Sequence, residues 1–187
     1  DEIRKFNFIK KYIHFTTPEV YGSTNKWIKE KNIFAPSTPY AVSRAACDLH
    51  LLSFKDAYNF PVIFTRAANV YGPHQQLYRI IPRAIIAAKT GEKLNLHGGG
   101  KSVRSFIHID DVSKALLKII KSGDLGNTYH ISGNQLFSIK KIVTLVANAY
   151  DKKLKDLVVL ADERTGKDAA YKLDSNKLRQ ELNWSDK

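Results

Sequence analysis

Short apolar runs alternate along the chain with longer stretches in which apolar residues recur every three or four positions, and the two patterns predict strands and helices in turn. Tyr12-Ile13-His14-Phe15-Thr16 is short and β-prone and reads as a strand. It leads into Thr17-Pro18-Glu19-Val20-Tyr21-Gly22, a loop punctuated by Pro18 and Gly22. Residues 23 to 37 are polar and read as a surface excursion. Thr38 then offers a cap, and Pro39 suits the first helical position, where its missing N–H costs nothing. The helix they open has Val42, Ala45, Ala46, Leu49 and Leu52 as its expected buried face and stops near Asn59 and Pro61. Val62-Ile63-Phe64-Thr65 has almost no polar interruption, as in a strand buried on both faces. Strand, helix and strand in this order predict a parallel sheet with a right-handed crossover.

Beyond Gly72-Pro73 the spacing predicts a helix from about Ile80 to Lys89, closed by Gly91 as a left-handed cap. Leu94-Asn95-Leu96-His97 and Ser105-Phe106-Ile107-His108-Ile109 read as short strands around Gly98-Gly99-Gly100, which reads as a hairpin turn. Asp110 is the expected cap of a helix with Val112, Ala115, Leu116, Ile119 and Ile120 on one face, closed by Gly123. Ser138 caps a further helix in which Phe137 staples to Ile142 and the buried face continues through Val143, Val146 and Tyr150. Asp174 starts a last short helix with Leu178 and Leu182. There is no internal repeat and no low-complexity segment.

No Gly-rich turn stands between a strand and a helix, so no phosphate-cradling dinucleotide fingerprint is present in these residues. The charged opening Asp1-Glu2-Ile3-Arg4-Lys5 runs almost at once into a core-like strand. A parallel sheet starting there lacks its inner neighbours, and the expectation is that a nucleotide-binding half precedes residue 1.

Composition narrows the partners. With 187 residues, 43% of them hydrophobic, the chain can bury a sizeable core. No apolar run reaches the length of a membrane span, the N-terminus lacks the apolar stretch of a secretion signal, and the single cysteine, Cys47, rules out an internal disulfide. These features predict a cytoplasmic chain without a membrane partner. The net charge of +12 is scattered rather than blocked, and no basic run is interleaved with aromatics, so nucleic acid is not the expected partner. A phosphate-bearing substrate accounts for a few of the arginines.

Tyr40 and Arg44 stand at i and i+4 and share one side of their helix. A cation held beside a phenol stabilises the phenolate, which lets a tyrosine take a proton from a sugar hydroxyl while hydride leaves the same carbon. Thr17 is placed to hydrogen-bond that hydroxyl and Glu19 to act as a second base. By spacing alone the pair reads instead as a snorkelling couple on a helix surface.

Its company decides the matter. Thr17-Pro18-Glu19-Val20-Tyr21-Gly22, Ser37-Thr38-Pro39-Tyr40-Ala41-Val42-Ser43-Arg44, Arg66-Ala67-Ala68-Asn69-Val70-Tyr71-Gly72-Pro73 and Arg104-Ser105-Phe106-Ile107-His108 occur in that order. This resembles the extended short-chain dehydrogenase/reductases and, within them, the nucleotide-sugar 4,6-dehydratases, most closely the dTDP-glucose type. The resemblance runs from about Tyr12 to Trp184. It implies an α/β fold: the C-terminal part of a Rossmann-type parallel sheet in residues 1–73, and in residues 74–187 mainly a smaller substrate-binding lobe with some segments returning to the sheet. It also implies NAD as cofactor, a nucleotide sugar as substrate and a homodimer packed partly through the Tyr40 helix.

Position by position, the resemblance makes Thr17 the hydroxyl residue of the catalytic triad, Tyr40 its base, and Arg44 the occupant of its lysine position, Tyr40 and Arg44 also meeting the cofactor. Glu19 matches the glutamate that takes the C5 proton. Asn69 sits where the family contacts the substrate, and Arg79 and Ile80 match a lysine-leucine pair near the nucleotide. Arg104 and Arg164 match arginines that hold the diphosphate, for which a planar guanidinium is well suited, and Lys167 falls where a histidine approaches the nucleotide. Three positions depart from the pattern. Arg44 replaces lysine, Pro18 replaces the aspartate that protonates the leaving C6 hydroxyl, and Ile139 lies where an asparagine often meets the nucleotide. Two other readings fit the same residues: a 4-epimerase or decarboxylase of the superfamily, and a non-catalytic nucleotide-sugar-binding fragment.

The other reactive residue types read as structural. His97 and His108 without a third ligand are polar strand positions rather than a metal site. Cys47 reads as a helix-packing residue, Asp110-Asp111 as a helix cap, and Tyr21 and Tyr71 equally as pocket or packing residues.

Overall fold

A computed structural model describes residues 2–24, 26–163 and 172–187. Three strands form its central sheet: β1 (Tyr12–Thr16), β2 (Val62–Ala67) and β7 (Thr128–Ile131), in the order β1-β2-β7 and all parallel. Between the first two lies α1 (Pro39–Tyr58), opened by Thr38, whose hydroxyl accepts the N–H of Ala41 at 3.1 Å, and closed by Asn59 in the left-handed region. Every residue of β2 is buried, as its sequence predicts for the middle strand.

The chain then adds β3 (Asn69–Tyr71), α2 (Ile80–Thr90), β4 (Leu94–His97), β5 (Val103–Arg104), β6 (Phe106–His108) and α3 (Ile109–Ser122). After β7 come β8 (Phe137–Ser138), α4 (Ile139–Ala149), α5 (Leu154–Leu157), β9 (Val158–Ala161) and α6 (Asn176–Leu182). Three further strand pairs result: β3 with β6 and β4 with β9, both parallel, and β5 with β8, antiparallel.

Two apolar clusters organise these elements. One packs Ile63, Tyr129 and Ile131 of the sheet against Val112, Ala115 and Ile119 of α3 and Leu178 and Trp184 at the C-terminus. The other joins Ala84, Ala87 and Ala88 of α2 to Val143 and Ala147 of α4, with Leu94 and Leu157. Residues 106–131 and 178–184 thus return to the sheet's core, while α2, α4, β4 and β9 build around a second one. The result is the expected α/β fold with a parallel sheet.

Several local expectations are corrected. The buried face of α1 is Ala41, Ala45 and Asp48, whereas Val42 and Leu49 are 52% and 53% exposed and Cys47 is exposed rather than packed. Gly98–Gly100 does not close a hairpin, because β4 pairs with the distant β9. His108, not Asp110, caps α3: its Nδ1 accepts the Asp110 N–H at 3.3 Å. Ser175 rather than Asp174 occupies the cap of α6. Residues 23–37 are more than a surface excursion: Ile28 and Phe34 pack against Val20 and Tyr21, and Glu30 accepts the N–H of His130 on the open edge of β7. Gly22 opens that segment with φ 68°, and a Cβ there would press on the carbonyl oxygen of Ala35.

Candidate active site

The strand ends determine what is presented. β1 stops at Thr16, and Thr17 then uses its Oγ1 to accept the N–H of Glu19 at 3.3 Å, capping a 3-10 turn over Pro18–Tyr21. Pro18 occupies the first position of that turn, where a backbone donor is not needed. The turn carries Glu19. Across from it, the Thr38–Pro39 start of α1 places Tyr40, 56% exposed, in the first turn of the helix. At the end of β2 the chain passes through Ala68, and Asn69 then donates from its Nδ2 to the carbonyl of Ser105 at 3.2 Å.

These elements border one cleft of about 820 Å³. Thr17, Pro18, Glu19, Tyr40, Asn69, Arg79, Ile80, Arg104 and Ile139 all line it, so residues spread over more than a hundred positions of sequence are brought together. The cleft opens at the C-terminal ends of parallel strands β1 and β2, the place where open α/β sheets bind ligands. Arg79 sits at the cap position of α2 with its guanidinium carbon 5.3 Å from the centre of the Tyr78 ring, and no side chain caps the first amides of that helix. Arg104 is buried and donates to its neighbour's carbonyl, Val103 O, at 2.8 Å.

Arg44 is placed differently from Tyr40. Its guanidinium donates to the carbonyl of Phe15 on β1, and it is not among the residues that line the cleft. Arg164 and Lys167 lie outside the described residues. Sequence reasoning missed Arg83, which follows Arg79 by one turn of α2 and lines the same cleft. Its i+4 spacing was the available signal. Among the described lining residues the one carboxylate, Glu19, is outnumbered by Arg79, Arg83 and Arg104, a balance that suits an anionic ligand.

Tyr71 lines the cleft, with its ring 5.3 Å from that of His108, but Tyr21 is packed beneath it. Tyr21 and Nε2 of His130 are 3.0 Å apart, and Nδ1 of His130 is 3.1 Å from the carbonyl of Asp174. A carbonyl only accepts, so Nδ1 carries the proton, while the Tyr21 hydroxyl donates to the carbonyl of Lys31 at 3.2 Å. Burial, with the nearby Arg66 charge, lowers the His130 pKa to about 3, and burial raises those of Tyr21 and Glu30. This ring is a neutral structural element. His97 and His108 belong to different strand pairs; Nδ1 of His97 meets the carbonyl of Asp162 at 2.9 Å. Among the described residues no group of three His, Cys, Asp or Glu side chains is placed to hold a metal, and no helix is long and apolar enough to cross a membrane.

Comparison with known proteins adds a chemical context. The profile of the family described as "NAD dependent epimerase/dehydratase family" matches residues 1–132. The dTDP-D-glucose 4,6-dehydratase of Bos taurus is 34% identical over 185 residues, covering 96% of this chain and 52% of that protein. The human dTDP-D-glucose 4,6-dehydratase is likewise 34% identical, with 96% and 53% covered. Among solved structures, DesIV, a dTDP-glucose 4,6-dehydratase from Streptomyces venezuelae solved with NAD bound, superposes with a TM-score of 0.90 at 30% identity, covering 95% of this chain and 55% of DesIV. The chain therefore spans about half the length of these relatives.

Proposed function

Because the chain belongs to the NAD dependent epimerase/dehydratase family, we propose that it carries the catalytic and sugar-nucleotide side of an NAD-dependent nucleotide-sugar 4,6-dehydratase. The observation that carries this reading is the single cleft shared by Thr17, Glu19 and Tyr40 on the one hand and Arg79 and Arg104 on the other. The first set suits oxidation and elimination at a sugar ring; the second suits a diphosphate.

The described residues fit the nicotinamide side of the cofactor: the exposed Tyr40 and the hydroxyl residue Thr17 line the same cleft at the C-terminal ends of β1 and β2. NAD, when bound, supplies the acceptor for the hydride that leaves C4 of the sugar. The phenol oxygen of Tyr40 takes the proton of the 4-hydroxyl, and the Thr17 hydroxyl hydrogen-bonds the same oxygen. Oxidation at C4 makes the C5 proton acidic, and the Glu19 carboxylate removes it as water departs from C6. Pro18 has no proton for that leaving group, so the acid is water or another group. Arg104 and Arg79 hold the diphosphate; Arg164 and Lys167, outside the described residues, keep the diphosphate and nucleotide roles that the resemblance implies. The exposed α1 face of Val42 and Leu49 supports a homodimer through that helix. The absence of a membrane-length helix among the described residues is compatible with a cytoplasmic enzyme.

Pro18 favours one second reading, a 4-epimerase, which needs no acid at C6. Product mass separates the two. Incubated with NAD and dTDP-glucose or UDP-glucose, a dehydratase yields a product lighter by one water, whereas an epimerase yields one of unchanged mass.

A further inference from the structure

Beneath the cleft lies a buried ionic cluster with no assigned role. Asp48 on α1 is 0% exposed, and Arg66 on β2 is 1% exposed. One oxygen of Asp48, Oδ2, accepts from Nη2 of Arg66 at 2.7 Å and from the Thr16 hydroxyl at 3.2 Å. The other, Oδ1, is 3.1 Å from Nε2 of His14. The guanidinium of Arg66 also stands over the rings of Tyr21 and Phe34, at 5.0 and 5.3 Å, but its Nε and Nη1 have no hydrogen-bond partner. Asp48 is therefore the anion that compensates a buried cation.

Such a pair is poor evidence of stability, since taking both charges out of water offsets most of their attraction. Its value lies in direction. The fully buried residues of α1 other than Asp48 are the small Ala41 and Ala45, while Leu51, Leu52 and Phe54 pack its C-terminal half on Phe60, Val62 and Phe64. Near Tyr40, Asp48 adds a buried, directional fixed point to the Arg44 bond with Phe15. Its hydrogen-bond partners also define what it fixes: Thr16 is bonded to Thr17 and Arg66 precedes Asn69 by three residues, while Asp48 itself follows Tyr40 by two helical turns.

We propose that Asp48 is a positioning residue, whose one carboxylate ties together the β1, α1 and β2 segments that deliver Thr17, Tyr40 and Asn69 to the cleft. The proposal rests on the reading of Thr17 and Tyr40 given under Proposed function. Misplacing a reacting group by about 1 Å costs on the order of 100-fold in rate, whereas nucleotide binding, carried by Arg79 and Arg104 on other elements, does not depend on the tether.

The test compares Asp48→Ala, which removes every contact, with Asp48→Asn, which keeps an acceptor oxygen for Thr16 and Arg66. Hydride transfer is read in a single turnover from the absorbance of reduced nicotinamide in the NAD-loaded enzyme. Affinity for dTDP-glucose and UDP-glucose is measured by calorimetry, both well below the melting temperature of each variant. Asp48→Ala is expected to slow hydride transfer about 100-fold with affinity within about threefold, and Asp48→Asn to recover about tenfold of that loss. A folded Asp48→Ala variant that transfers hydride at nearly the wild-type rate, or that loses rate and affinity in equal measure, overturns the proposal. Where Asp48→Ala does not fold, Thr16→Val decides: a slower hydride step with unchanged affinity supports the tether, and an unchanged rate overturns it. A wild-type enzyme that binds neither sugar nucleotide and reduces no NAD overturns the underlying reading, and the proposal with it.

Discussion

The guanidinium of Arg44 donates to the carbonyl oxygen of Phe15, 2.5 Å away, bolting the helix that carries Tyr40 to the strand that leads to Thr17. The residue at the family's lysine position thus has a structural partner of its own. The bond holds its positive charge at the Phe15 carbonyl, on a residue one helical turn after Tyr40.

Arg44→Lys shortens the reach to Phe15 but keeps the charge, and is expected to retain NAD reduction within about tenfold. Arg44→Ala loses both, and is expected to lower the oxidation rate by about 100-fold, the lower range for assisting a proton transfer. It also loses about 1.5 kcal/mol or more of stability with the charged hydrogen bond. Initial rates of NAD reduction and thermal melts of the two variants measure both effects.

The three arginines of the cleft predict an affinity that depends on charge. Arg83→Gln and Arg104→Gln are each expected to weaken UDP binding about tenfold, as the loss of one charge-assisted contact implies. Raising the salt concentration should weaken wild-type binding more than that of the double variant, because fewer charges remain to be screened. Calorimetric titrations at two ionic strengths provide the check.

His130 gives the fold a defined acid limit. Its pKa is about 3 in the folded chain against an ordinary 6.5, so the unfolded state binds the proton more readily. Its contribution to stability is fully present above pH 6.5 and is lost as pH falls from 6.5 toward 3. Glu30, whose pKa is raised by burial, works in the opposite sense: its contribution is present below 4.5 and is lost as pH rises through its folded value. A His130→Gln variant is expected to be less stable near neutrality and to show a flatter melting-temperature profile below pH 6.5 than the wild type. Melting curves across that interval test this.

How much of this was legible in the sequence depended on the range of the interaction. Caps are local, so Thr38, Ser138 and Gly91 stand where their residue types and spacing put them. Strand pairing is not local: the partner of Leu94 is Val158, and no turn chemistry near Gly98 could reveal it. β7 is hard to read for a similar reason, since Thr128-Tyr129-His130-Ile131 is a buried strand that includes a histidine whose ring partner, the carbonyl of Asp174, lies far along the chain. The α1 face was misread because apolar periodicity ranked Val42 and Leu49 above a carboxylate. Asp48 is inside because Arg66, on another element, is there to meet it. The site residues were recognisable through their ordered motifs, yet only the fold shows that Arg83 joins them and that Arg44 turns to the backbone.

The central claim divides the chemistry between Tyr40, which serves the oxidation at C4, and Glu19, which serves the elimination across C5 and C6. The most direct measurement is a single turnover of Glu19→Gln in the NAD-loaded enzyme, following nicotinamide absorbance and product mass together. The account predicts that reduced nicotinamide accumulates at close to the wild-type rate while loss of water slows by at least about 100-fold, as removal of a general base implies. Dehydration at the wild-type rate, or loss of the oxidation step along with it, would contradict it.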